Sequence, residues 1–107
     1  MLENLLGLFE ILRESYVWIP CYMAASESGE IHLVPDILEN MEGNFFPVFS
    51  NERAMGEYGK DFIHVKRNMP DAIRLERCNA LKPSVIILNP FTRALEIPEE
   101  LWHTLEK

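Results

Sequence analysis

The chain has 107 residues, of which 48% are hydrophobic and 25% are charged, and its formal net charge is -7. This composition excludes an intrinsically disordered chain, and the length predicts one domain, residues 1–107, with a core of its own. The acidic balance argues against nucleic acid, whose phosphates are bound by Lys and Arg, and no apolar run approaches the ~20 residues of a membrane span.

Residues 2–13 have the periodicity of an amphipathic helix. Its apolar face consists of Leu2, Leu5, Leu6, Phe9 and Leu12. Two interpretations of this face stay open: it packs on the sheet of its own domain, or it docks on another subunit.

The start of the chain has no basic n-region, so we do not expect a secretory signal. The two cysteines, Cys21 and Cys78, lie far apart in different predicted elements. We therefore expect reduced thiols and a cytoplasmic protein.

Two strands follow, and we expect them to form a hairpin. Residues 16–22 are rich in β-branched and aromatic side chains, and residues 30–34 alternate polar and apolar side chains after a loop rich in Ser and Gly. Pro20 cannot donate a hydrogen bond to a ladder. The first strand should therefore lie at a sheet edge or carry a bulge.

The segment 44–54 combines a turn, a buried strand and a helix start. Residues 45–49 hold three aromatic side chains and a valine, which suits a buried strand. Ser50 or Asn51 then offers a side-chain oxygen to the first amides of a helix, and Glu52 places negative charge in its first turn.

The second half of the chain predicts a strand, a crossover helix and another strand. The helix begins near Pro70 and ends near residue 78, and residues 85–88 form an apolar run typical of a strand buried on both faces. Because such crossovers join parallel strands, we expect residues 62–65 and 85–88 to be parallel neighbours.

A last helix begins at Pro98, with Glu99 and Glu100 in its first turn. The predicted fold class is therefore α/β (α+β mixed). We expect a mixed sheet of about five strands, in which antiparallel early strands precede parallel βαβ units, flanked by three to four helices.

The polar residues show no catalytic or metal-binding pattern. His32, His64 and His103 share no ligand spacing with one another or with the cysteines. Asp61 and His64 lie three residues apart on a predicted strand and so face opposite sides. We expect no catalytic residue, no metal, no cofactor and no enzymatic activity.

Ligands of open sheets with parallel strands bind beyond the carboxyl ends of those strands. The candidate residues at that position are Asn89, Phe91, Thr92 and Arg93 after the last apolar strand, and Ser50 and Asn51 at a helix start. One interpretation is a ligand-binding crevice. The other is that Asn89 and Ser50 only complete turns and caps.

Four short motifs resemble the N-terminal domain of the SseB family in their order and spacing. They are Tyr-Val-Trp-Ile-Pro at 16–20, Phe-Phe-Pro-Val-Phe-Ser-Asn-Glu at 45–52, Val-Ile-Ile-Leu-Asn-Pro-Phe at 85–91 and Leu-Glu-Ile-Pro at 95–98. The resemblance implies a bacterial protein with a single SseB N-terminal-like domain. The family name refers to enhanced serine sensitivity, and some members are labelled type III secretion enhancers. Neither label defines an activity, and no catalytic residues come with the family.

We expect a non-enzymatic protein-interaction domain. Trp18 and Trp102 are candidates for exposed contact residues, because tryptophan is enriched at binding hot spots. The expected partner is another protein or a second copy, in a homodimer formed through the N-terminal helix or an edge strand. The alternative is a domain that binds or senses a small, amino-acid-like metabolite in the crevice beyond the strand ends.

Overall fold

The computed structural model describes residues 10–79, 83 and 85–106. The elements in chain order are β1 (Tyr16–Ala25), β2 (Ile31–Pro35), β3 (Leu38–Asn40), β4 (Gly43–Val48), a 3-10 segment (Glu52–Asp61), β5 (Ile63–Asn68), α1 (Met69–Arg77), β6 (Val85–Leu88), β7 (Leu95–Pro98) and α2 (Glu99–Glu106). Residues 10–14 are also helical.

The strands form two sheets, with the orders β2-β1-β5 and β3-β4-β6-β7. β4 and β6 are parallel, and every other ladder is antiparallel. The α/β class with parallel and antiparallel strands is therefore confirmed. The described residues contain seven strands, two more than the sequence led us to expect.

The parallel pair differs from the one that the sequence predicted. β5 pairs with β1 in antiparallel fashion, and β6 pairs with β4 instead. A central parallel strand must be apolar on both faces, and β4 meets this condition because residues 45–48 are all buried. β5 does not meet it, because Lys66 and Arg67 are exposed. The charged strand therefore lies at the edge of the first sheet.

A backbone bridge between Trp18 and Phe49 joins the two sheets. The N–H of Trp18 donates to the carbonyl of Phe49 (2.7 Å), and the N–H of Phe49 donates to the carbonyl of Trp18 (2.9 Å). On the same side of β1, β2 thus lies beside residues 21–25, the outer half of the strand, and Phe49 lies beside Trp18 in the inner half.

The prediction that β1 lies at a sheet edge or carries a bulge because of Pro20 is wrong, since β1 is the central strand of its sheet and its registers with β2 and β5 are unbroken. Pro20 lies where the neighbour of β1 changes from Phe49 to β2. Its carbonyl accepts a hydrogen bond from Asp36 (2.9 Å). The missing N–H of proline therefore falls at a gap between two neighbours, where it costs little.

The core lies between the sheets and the helices. α1 begins as predicted near Pro70, with the Asn68 side chain accepting the N–H of Asp71 (2.9 Å). Trp102 is not an exposed contact residue: it is 2% exposed, and its indole N–H donates to the carbonyl of Ile97 (2.8 Å).

Leu12 is buried in this core, which agrees with packing of its helical face within the domain. The other members of the predicted apolar face, at positions 2, 5, 6 and 9, lie outside the described residues.

Glu76 on α1 is a buried carboxyl group, and its Oε2 has no hydrogen-bond partner among the residues that the structure describes. Burial, with a smaller contribution from the nearby charge of Glu99, raises the pKa of Glu76 to about 7, while Arg77 acts in the opposite direction. The ordinary pKa is 4.5. The folded chain therefore holds this proton more tightly than the unfolded chain, so the stability should fall as the pH rises from about 4.5 through about 7.

Replacing Glu76 by Gln removes the buried charge at similar volume. We expect Glu76→Gln to gain stability relative to the wild type as the pH rises from about 5 to about 8, by an amount on the order of 3 kcal/mol at most. Urea denaturation across this pH range measures the difference. Glu100→Gln, an exposed position on α2, is the matched control and should show no such trend; a Glu76→Gln difference independent of pH would contradict the prediction.

Candidate functional site

Ser50 and Asn89, two of the candidate residues, meet at the carboxyl ends of the parallel strands β4 and β6. The N–H of Ser50 donates to Oδ1 of Asn89 (3.0 Å), and Nδ2 of Asn89 donates to Oγ of Ser50 (3.0 Å). The N–H of Asn89 also donates to the carbonyl of Val48 (2.8 Å). These bonds tie the ends of the two parallel strands together, so the polar groups of both side chains are largely used within the fold.

Asn89 has a φ of 52° and is the one non-glycine residue with a positive φ among those described. Asparagine tolerates this left-handed conformation better than most residues, because its side chain forms local hydrogen bonds. The turn that follows is closed by Thr92, whose N–H donates to the carbonyl of Asn89 (3.1 Å).

Asn51 caps the 3-10 segment by accepting the N–H of Ala54 (2.9 Å). This confirms one of the two N-caps that the sequence offered. The segment is not the regular helix that we expected, because its backbone is interrupted at Gly56, which has a φ of 59°.

Phe91 is 50% exposed and belongs to a cluster of aromatic rings. Its ring centroid lies 5.2 Å from that of Tyr58, in an edge-on arrangement, and 5.9 Å from that of Phe49. Beside this cluster lies an open depression of about 420 Å³, lined by Arg53, Ala54, Met55, Gly56, Glu57, Tyr58, Phe91 and Thr92.

Two arginines lie near Phe91, one in the lining of the depression and the other close to Phe91 in the sequence. Arg53 lines it, and Arg93 is exposed two residues after Phe91. In the part of the chain that the structure describes, neither arginine forms an ion pair.

Trp18 reaches this region through its backbone bridge to Phe49. Its indole is half-buried, and Nζ of Lys66 lies 5.7 Å from the ring centroid. Trp18 therefore acts first as a structural residue at the junction of the sheets.

Three contacts of the 3-10 segment were not predicted from the sequence. The hydroxyl of Tyr58 donates to Oδ2 of Asp36 (2.5 Å), and burial together with this bond raises the pKa of Tyr58. His64 contacts the carbonyl of Gly59 through Nε2 (2.6 Å) and Oε2 of Glu52 through Nδ1 (2.5 Å).

Because both nitrogens of His64 face acceptors, the Gly59 carbonyl first and then Glu52 raise the pKa of this imidazole. Glu52 therefore has a tertiary partner in addition to its position in the first turn. The contact of His64 with Glu52 spans 12 residues, and that of Tyr58 with Asp36 spans 22 residues. At these separations neither contact has a local sequence signal.

The second feature of functional interest is the β1–β2 hairpin. Met23 lies opposite Leu33 and Ala25 lies opposite Ile31, so these side chains share one face of the sheet. Met23 is 64% exposed, Leu33 47% and Ile31 70%. We call Met23, Leu33 and Ile31 the hairpin strip.

The backbone hydrogen bonds at the two ends of the hairpin fix which groups of β2 point outward. Ser26 donates its N–H to the carbonyl of Glu30 (2.8 Å), and Asp36 donates its N–H to the carbonyl of Pro20 (2.9 Å). Both bonds join even-numbered residues. Because bonded and non-bonded pairs alternate along an antiparallel ladder, the even-numbered residues of β2 bond to β1.

The odd-numbered residues of β2 therefore direct their backbone groups away from β1. The N–H and C=O groups of Ile31 and Leu33 point to the outer edge, where no described strand pairs with them. Pro35 adds a carbonyl but no N–H. The outer edge of β2 thus combines exposed apolar side chains with backbone groups that no described strand pairs.

Within the described residues, no group of three or more His, Cys, Asp or Glu side chains is arranged to hold a metal ion. None of the helices in those same residues combines the length and the apolar content that a bilayer crossing requires.

Comparison with known proteins finds no matching family model, no matching curated protein and no matching solved structure.

Replacing Asn89 by Ala removes its bonds to Ser50 and places a Cβ-bearing residue without local hydrogen bonds in a left-handed conformation. We expect Asn89→Ala to lower the free energy of unfolding by about 2–3 kcal/mol. Asn89→Gly should lose less, because glycine accepts the positive φ. Urea denaturation measures both, with the exposed Thr92→Ala as control; wild-type stability of Asn89→Ala would show that these bonds do not hold the strand ends.

Proposed function

We propose that this chain is a non-enzymatic protein-interaction domain that binds an extended, apolar segment of a partner protein along the outer edge of β2. The observation that carries the proposal is the coincidence, at Ile31 and Leu33, of outward backbone groups with exposed apolar side chains. In strand addition, the main-chain bonds supply affinity, and the alternating side chains supply specificity.

The contrast between the two edges of the first sheet supports this proposal. Sheet edges are usually protected by charged side chains or proline against pairing with other chains. β5 carries exposed Lys66 and Arg67, whereas β2 has no Lys, Arg, Asp or Glu and has its one proline, Pro35, at its last position. β2 is the edge that is suited to accept another strand.

Assignment to the SseB family, and with it a bacterial and cytoplasmic setting, is part of the proposal. The order of the motifs from position 16 to 101 supports it. The reduced state expected of Cys21, which is buried, and of Cys78 is compatible with the cytoplasm.

A charge on the edge should prevent strand addition. We expect Leu33→Lys to lower the capture of partner protein by about tenfold, because lysine must be desolvated when a strand pairs beside it. Quantitative affinity capture from cells measures the effect, and amide hydrogen exchange should show new protection at Ile31 and Leu33 in the complex.

The matched control is Met41→Lys, because Met41 is fully exposed and lies outside the hairpin strip. Only proteins that are retained by the wild type and by Met41→Lys, and lost by Leu33→Lys, count as partners. Equal capture by all three chains would refute strand addition at β2.

A second candidate function is the binding of a small metabolite that carries a carboxylate, such as an amino acid, in the depression beside Phe91. Arg53 and Arg93, without ion pairs in the described structure, favour it, since a guanidinium binds a carboxylate in a bidentate manner. An amino-acid panel should raise the melting temperature of the wild type and not of Arg53→Gln. Thermal shifts that are absent, or identical in the two proteins, would exclude this candidate.

A further inference from the structure

We propose that the strand added to β2 is the β2 strand of a second copy, paired antiparallel about a two-fold axis at His32. This inference rests on the proposed function of the β2 edge and adds the identity of the partner. A two-fold interface uses the same surface of both copies, so the edge must be complementary to itself.

The outward backbone groups satisfy this condition. With the axis at His32, Ile31 of each copy faces Leu33 of the other. Both residues direct N–H and C=O outward, so each facing pair exchanges two hydrogen bonds, and all outward amides of β2 between Ile31 and Leu33 are paired. The result is one six-stranded sheet that runs through both copies.

The side-chain contacts expected in this register are also favourable. Within one copy Met23 lies opposite Leu33, and in the dimer Leu33 lies beside Ile31 of the second copy. The hairpin strips of the two copies then form one continuous apolar stripe across the axis. On the other face, Glu30 lies opposite Val34 of the second copy, which avoids a contact between like charges.

One of the two neighbouring registers, with the axis at Leu33, is less favourable for two reasons. An axis at Leu33 would place Ile31 opposite Pro35, which has no N–H, and one hydrogen bond would be lost from each such pair. It would also place Glu30 opposite Asp36 of the second copy, and like charges directly across a ladder are destabilising.

Pairing β2 with β5 of a second copy is a different kind of contact. It joins two different surfaces, and such head-to-tail contacts generate open filaments unless the rotation closes. β5 also carries Lys66 and Arg67 at its exposed positions. The self-complementary β2 edge gives a closed dimer instead.

Disulfide trapping tests the axis directly. At a non-hydrogen-bonded pair the two Cα atoms lie about 4.5 Å apart, within the range that a disulfide bridges. We expect His32→Cys, in a Cys78→Ser background, to form a reducible covalent dimer at least about tenfold faster than Met41→Cys in the same background. Cys21 is 3% exposed and should not react.

Sedimentation of the chain without introduced cysteines supplies the second measurement. The wild type should sediment as a dimer, and Leu33→Lys as a folded monomer by circular dichroism. A monomeric wild type, or cross-linking of His32→Cys no faster than that of Met41→Cys, overturns the inference. Faster trapping by Leu33→Cys than by His32→Cys also overturns it, because the axis then lies elsewhere.

The results separate this inference from the proposed function. The wild type could be a monomer that captures another protein, with the capture abolished by Leu33→Lys. Strand addition would then stand, and the inference that a second copy is the partner would be wrong. If Leu33→Lys changes neither sedimentation nor capture, both are wrong.

Discussion

The backbone exchange between Trp18 and Phe49 holds the two sheets together, and the surface of the domain follows from it. A strand has only two edges, and one edge of β1 is shared by Phe49 at its inner half and β2 at its outer half. β2 must therefore lie towards the far end of β1. The outer half of the hairpin extends past the buried core, and its apolar side chains remain exposed.

Most polar side chains near the strand ends stabilise the fold. Asn89 and Ser50 bond to each other, and Asn51 and Asn68 cap the segments that follow β4 and β5. A catalytic group needs a reactive atom that is positioned but not already satisfied by the fold. The described strand ends offer few such atoms, whereas the outer edge of β2 and the two arginines near Phe91 have groups that the described fold does not use.

The fold class, the N-cap at Asn51 and the start of α1 could be predicted because each has a local signal: periodicity, a capping side chain or an apolar run. The pairing of β5 could not, because the rule for crossover helices is local, whereas the choice of neighbour depends on burial across the whole sheet. The prediction that Trp102 is an exposed contact residue is wrong because it rested on the residue type alone, and the type does not tell whether the side chain faces the core.

The direction of the backbone groups of β2 could be predicted only in part. The sequence shows alternation in residues 30–34, but alternation alone does not tell which backbone groups point outward. The two terminal bonds of the hairpin settle this, because a shift of one residue would turn Ile31 and Leu33 towards β1 and leave His32 and Val34 at the edge. The edge would then lose the coincidence of outward amides with the hairpin strip. The proposed strand addition therefore depends on the register that two bonds fix at the ends of the hairpin: the one that the N–H of Ser26 donates to Glu30 and the one that the carbonyl of Pro20 accepts from Asp36.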